Sequence, residues 1–225
     1  LYMEMDHLTR MGGTFITESN GFGDIQLSGM YRFFNRNQQS LHAQVGVSIP
    51  TGSITESDVT PASAPNEVEL PYPMQTGSGT FDTNLALTYL GQTDQITWGG
   101  QLRAILRFGE NDRDFRYGNR QSLTSWFAVK AADWLSFSTR LEALVVGEID
   151  GADPNLNPMM VITADTANSG ANFLNGGLGF NVYIPKGALK NLRFGFEFAT
   201  PLYQDLNGIQ LKQKETLTFG TQYAF

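Results

Sequence analysis

The chain has 225 residues, 41% of them hydrophobic and only 16% charged, with no cysteine and a formal net charge of −7. The acidic balance argues against a nucleic-acid partner, and no apolar run approaches the ~18 residues of a membrane helix. A charged fraction below the ~25% of soluble domains then leaves a very β-rich protein, or a barrel that hides its apolar surface in lipid.

Alternation and turn signals predict ten strands: 1–8, 23–34, 41–49, 79–90, 95–108, 120–131, 134–147, 171–184, 191–201 and 214–225. Most reach the ~9–11 residues that cross an outer membrane at a tilt. The first begins inside an alternating segment, LYMEMDHL, so either the mature chain starts there or residues precede it. The last alternates without a fault. Leu217, Phe219, Thr221, Tyr223 and Phe225 take one face, and Thr216, Thr218, Gly220, Gln222 and Ala224 the other. A terminal Phe with an aromatic two residues before it looks like the closing strand of a bacterial outer-membrane β-barrel. Tyr223 and Phe225 are therefore the expected signal for the barrel-insertion machinery. Taken alone, this stretch also suits the last strand of a soluble sandwich.

The connections separate these readings. With Phe225 on the periplasmic side, connections 35–40, 91–94, 132–133 and 185–190 fall in the periplasm, and 9–22, 50–78, 109–119, 148–170 and 202–213 outside. The first set is short and the second longer, as in outer-membrane barrels; a sandwich has no reason to sort loop length by parity. The exterior loops hold 13 acids against four bases. Two readings of that excess stand: a solvated surface that meets divalent ions in the lipopolysaccharide layer, or steering of a cation towards the mouth.

The face that carries Phe225 is read as lipid-facing. Its members include Ile25, Leu27, Tyr31 and Phe33, then Val45, Val47, Leu85, Leu87, Leu102, Leu123, Phe127, Phe137, Leu141, Leu178, Phe180, Phe194, Phe196 and Phe198. No Lys, Arg, Asp or Glu falls on it within the membrane band, where Lys or Arg costs ~2–4 kcal/mol. The opposite face is predicted to line a lumen with Arg32, Arg103, Arg107, Arg120, Lys130, Arg140 and Arg193 against Glu4, Asp6, Asp24, Asp82, Glu142 and Glu197. These nearly cancel, and charges in such an interior must pair or line water. Ten strands enclose little more than their own side chains, so a bridged interior is expected, with Arg193 and Glu197 meeting Arg140 and Glu142. Inward glycines 46, 99, 177, 179, 195 and 220 make either a narrow polar passage or room for Trp126, Trp134 and Tyr183.

No catalytic set emerges. His7 and His42 are the only histidines, and Asp6, adjacent to His7 on a strand, points to the opposite face. The run Met3-Glu4-Met5-Asp6-His7, with Met11 beyond it, is divided between two faces in the same way, so it reads as filler and not as a soft-metal site. Residues 148–157 carry spaced oxygen ligands but lack the twelve-residue calcium-loop pattern and its closing Glu, which favours a turn. No cofactor and no metal are expected.

The segments HAQVGVSIPTGSI (42–54), YPMQTGSGTFD (72–82), GADPNLNP (151–158), PLYQDLNG (201–208) and FGTQYAF (219–225) resemble the meta-pathway phenol-degradation family of outer-membrane proteins. That resemblance implies a barrel passing small aromatic or hydrophobic compounds, with twelve strands if an N-terminal hairpin precedes these ten. It carries over no functional residue. The expectation is a single all-β domain over 1–225, a transmembrane antiparallel β-barrel in a bacterial outer membrane. It would contact lipid and lipopolysaccharide and act as a channel for a small solute. The alternative is a structural barrel that anchors or sheathes a partner protein.

Overall fold

The computed structural model describes residues 1–9, 12–187 and 189–223. In chain order the strands are β1 (Tyr2–Leu8), β2 (Thr14–Asn20), β3 (Ile25–Arg36), β4 (Gln39–Ile49), β5 (Ser57–Val59), β6 (Glu67–Glu69), β7 (Phe81–Gln92), β8 (Ile96–Phe108), β9 (Phe115–Arg116), β10 (Arg120–Ala132), β11 (Leu135–Val146), β12 (Asp150–Gly151), β13 (Ala171–Tyr183), β14 (Leu192–Leu206) and β15 (Thr216–Tyr223). Nine of them form one antiparallel sheet in the order β15-β14-β13-β11-β10-β8-β7-β4-β3. Among the described residues, no helix is long and apolar enough to cross a membrane.

Each long strand pairs with the next, and the connections sort as expected. Asn37 and Gln38, at φ 52° and 60°, make the tight turn between β3 and β4, a left-handed pair whose twist suits a two-residue hairpin. The connections 93–95, 133–134 and 184–191 lie at the same end, and the long ones at the other.

The alternation survives pairing. Phe137, Phe180, Phe196 and Phe219 stand opposite one another across β11, β13, β14 and β15, and Leu87, Leu102 and Leu123 do so across β7, β8 and β10. Most of this apolar face is open to the surroundings. Among the described residues its charges are confined to strand ends: Arg36 faces Gln39 beside the tight turn, and Asp205 faces Asn172 near the long loops.

Four features depart from the expectation. The strand at 1–8 is not in the sheet. Among the described residues β1 pairs with β2 alone, from Tyr2↔Asn20 to Leu8↔Thr14, and β2 lies inside the expected loop 9–22. The Thr and Ser at alternate positions of β2 hid its pattern. In β3 the register shifts between Arg32 and Phe34, so Phe34, and not Phe33, stands opposite the outward Leu41. β14 runs on past Pro201 to Leu206, with a register shift at the same place. Its ladder with β15 ends at Ala199↔Thr216, so beyond that point one edge of β14 is free and tolerates a residue without an N–H. Finally, the long loops hold the small ribbons β5–β6 and β9–β12.

β3 and β15 are the edges of the sheet, and every residue of both is exposed. Both run from the long-loop end to the short-turn end. A direct pairing between them would be parallel, and an antiparallel closure takes an odd number of strands between. The segments at the long-loop end reach across the sheet. Five strand spacings of about 4.8 Å would hold β3 and β11 roughly 24 Å apart if it were flat. Yet His7 and Phe15, on the hairpin that precedes β3, share a cavity with Leu156 and Val161, from the loop after β11. The apolar residues buried most deeply, Leu70, Tyr72, Met74 and Phe115, belong to the loops and not to the sheet.

Candidate functional site: the mouth and the inner face

Residues 70–80 are the keystone of the long-loop end, and nearly all are buried. Gln75 folds the segment on itself, its Nε2 donating to the Leu70 carbonyl at 2.6 Å while its Oε1 accepts from the Glu56 amide at 2.8 Å. Ser19 Oγ of β2 donates to the Met74 carbonyl at 2.7 Å. Asp24 accepts from the Ser78 amide and hydroxyl at 2.9 and 2.6 Å. Tyr117 donates to the Tyr72 carbonyl at 2.8 Å, and the Tyr72 hydroxyl accepts from the Asp153 amide at 2.9 Å. Burial pushes the ionisation of Tyr117 well up, so it remains a neutral donor. A single segment thus ties the N-terminal hairpin to the loops after β8 and β11. The segment lies largely within the long connection 50–78, and the pattern Pro71-x-Pro73 with Gly77 and Gly79 is the sign in the sequence of a stretch shaped to pack.

Gly77 is where that packing is tightest, because a Cβ there would run into the Gly52 backbone. Backbone cannot step aside as a flexible side chain does. Gly77→Ala is expected to destabilise the loop end by about 1–3 kcal/mol, seen as faster proteolysis within 50–80 while the sheet resists. Unchanged proteolysis would mean that the segment is loosely held.

Beside it, Glu69 meets Arg113 Nη2 at 3.2 Å. Glu69 Oε1 and Asp153 Oδ2 are both buried without a hydrogen-bond partner among the described residues. Burial first, then the Asp153 side chain, push the Glu69 carboxyl up to about 7, against the opposing pull of Arg113. Its raised value means that the folded loops hold the proton longer than the unfolded chain does. The contribution is full below the ordinary value near 4.5, and falls as pH rises until about 7. Hydrogen exchange of 60–71 and 150–157 should quicken over that interval, and Glu69→Gln should flatten the profile by donating permanently. A flat wild-type profile would show that no proton is held there.

On the inner face, Arg140 of β11 reaches past β13 to Glu197 of β14, with Nε at 3.1 Å and Nη2 at 2.7 Å, and meets Glu142 at 3.3 Å. Gly177 of β13 faces Arg140 in register, and a Cβ there would stand 3.1 Å from Glu197 Cδ, so the glycine opens the path of this bridge. Arg193 does not join it, and lies instead over the Tyr183 ring at 5.2 Å. Gly99 gives room to Trp126, whose ring a Cβ would strike. Arg107 pairs with Asp82 at 3.2 Å and lies 5.5 Å from the centre of the Tyr117 ring. Lys130 meets Asp133 at 2.8 Å in the short turn, and Arg32 stands opposite His42.

Three predicted lumen acids are elsewhere. Glu4 and Asp6 lie on β1, outside the sheet, where Glu4 accepts from the Tyr2 hydroxyl. Asp24 precedes β3 and organises residues 52 and 78. For Glu4 and Asp6 the cause is that alternation shows which residues share a face of a strand, not which sheet the strand joins; Asp24 is instead held by the Gly52 and Ser78 amides. His7 binds Thr17 Oγ1 at 2.9 Å and stacks on Phe15, and burial lowers its pKa, so it serves the hairpin. Tyr223 lies opposite Leu192, while Phe225 and Met11 are outside the described residues.

No family model and no curated protein matches the chain. Among solved structures, the chain is similar to an outer membrane channel from Pseudomonas putida F1 at a TM-score of 0.63 and 14% identity, covering 98% of this chain and 80% of that one. At that identity the likeness is one of fold: an all-β chain built on one large antiparallel sheet.

Proposed function

We propose that the chain is a channel of the bacterial outer membrane, a β-barrel that passes a small solute and performs no chemistry on it. The observation that carries this reading is the division of the sheet into an exposed apolar face and an opposite face holding the charge. Lipid and lipopolysaccharide would cover the first, since water would not tolerate so wide an apolar belt. The likeness to an outer membrane channel supports the reading, as does loop length sorted by end. In lipid an unpaired sheet edge is costly, so the barrel requires β3 and β15 to be bridged. Tyr223 and Phe225 would be read by the insertion machinery.

The family resemblance implies an aromatic or hydrophobic solute. A recess of about 500 Å³ between the hairpin and the loops, lined in part by Phe15, Pro61, Leu70, Leu156 and Val161, supports an apolar contact at the mouth; the polar inner face does not. The rival, a structural barrel that sheathes a partner protein, draws on the unpaired edges of β3 and β15. Reconstitution in planar bilayers separates the two. Discrete conductance steps are expected, and inserted, folded protein that carries no current would favour the rival.

A further inference from the structure

The inner face is more basic than the alternation implied. With Glu4, Asp6 and Asp24 elsewhere, the sheet presents Arg32, Arg103, Arg107, Arg120, Lys130, Arg140 and Arg193 against Asp82, Glu142 and Glu197 alone, among the described residues. Each of those three acids is already engaged: Asp82 with Arg107, Glu142 and Glu197 with Arg140.

The surplus is concentrated. Arg120 of β10 stands opposite Ile105 of β8, and Arg103 and Arg107 lie two residues to either side of Ile105. Three guanidinium groups thus occupy adjacent places on one face. Arg107 has its carboxylate. Arg103 and Arg120 have none within ion-pair distance among the described residues, and both line a cavity of about 380 Å³ with Ser122, Arg140, Asn175 and Glu142, whose carboxylate is held by Arg140. Asn175 donates its amide to Glu142 at 3.3 Å. Two unpaired arginines this close repel each other, more strongly in a narrow lumen than in bulk water. An anion between them reverses the sign of that interaction.

We propose that Arg103 and Arg120 form a binding subsite for small oxyanions, a carboxylate or a phosphate group, on the inner face below the mouth. Guanidinium groups offer paired N–H donors that match the spacing of two oxygens on one carbon or phosphorus. Ser122, opposite Arg103, supplies a neutral donor beside them. The subsite rests on the channel reading for its route, and it makes the channel prefer anions.

The test uses the whole purified protein in planar bilayers under a KCl gradient, with inorganic phosphate as the probe. The wild type is expected to show a reversal potential on the chloride side, and phosphate should block the chloride current. In R103Q/R120Q the chloride preference should fall and block should need about tenfold more phosphate. Lys130→Gln, which removes a charge paired at the short-turn end and away from the two arginines, should leave the phosphate block unchanged. A cation preference in the wild type, or block unchanged in the double variant, overturns the subsite and leaves the channel standing. If no current flows at all, the channel reading fails. Calorimetric titration of the folded protein with phosphate then decides the subsite: binding weakened in R103Q/R120Q supports it, and equal or absent binding overturns it.

Discussion

Replacing Leu178 with Arg is expected to cost about 2–4 kcal/mol in lipid vesicles, whereas Thr124→Arg should cost far less. Leu178 lies in the middle of β13 on the apolar face, opposite Thr139 and Phe198, and is 67% exposed. Nothing in the sheet packs over it, so the penalty comes from the surrounding medium. An ammonium or guanidinium at that depth must shed its water or drag water and headgroups inward, and a strand gives it no polar neighbour on the same side. Thr124, by contrast, is on the inner face opposite Glu142 and Gln101, where an added Arg stays among polar groups, although Glu142 is already held by Arg140. Unfolding in vesicles and in a short-chain detergent should differ for Leu178→Arg and agree for Thr124→Arg. Equal sensitivity of the two positions would sink the assignment of faces.

The second large effect is at Glu197. Glu197→Gln removes the charge that holds Arg140 by two donors, leaving a guanidinium shared with Glu142 alone. The side chains are about a quarter exposed, so water offsets part of the loss. About 2–3 kcal/mol is expected, near the lower end of the penalty for orphaning a buried charge. Arg140 would then be freer to swing, and the polar path along β11 to β14 should widen, raising conductance and its preference for anions. Gly177→Ala should do part of the same by crowding Glu197. If Glu197→Gln alters neither unfolding nor conductance, the bridge is fully hydrated and contributes little to either.

Much of this was legible in the chain itself. Period-two alternation follows from backbone geometry, so it identified the apolar face, and pairing brought Phe137, Phe180, Phe196 and Phe219 into one row as that periodicity requires. Loop length sorted by end needs only the strand boundaries, and it too was present. The Arg140–Glu197 contact could be anticipated because both residues share a face on strands separated by one other.

What only the tertiary structure decided concerns contacts between segments far apart in sequence. β1 has the alternation of a sheet strand, but its partner is β2, a choice made by hydrogen-bond register and by Ser19 reaching Met74. That choice withdrew Glu4 and Asp6 from the inner face. Together with Asp24, which turns to residues 52 and 78, it changed a nearly neutral lining into a basic one. The burial of residues 70–80 depends on groups from four separate places, Ser19, Asp24, Tyr117 and Asp153. No local pattern encodes such convergence, because a loop's burial is set by what the rest of the chain brings to it.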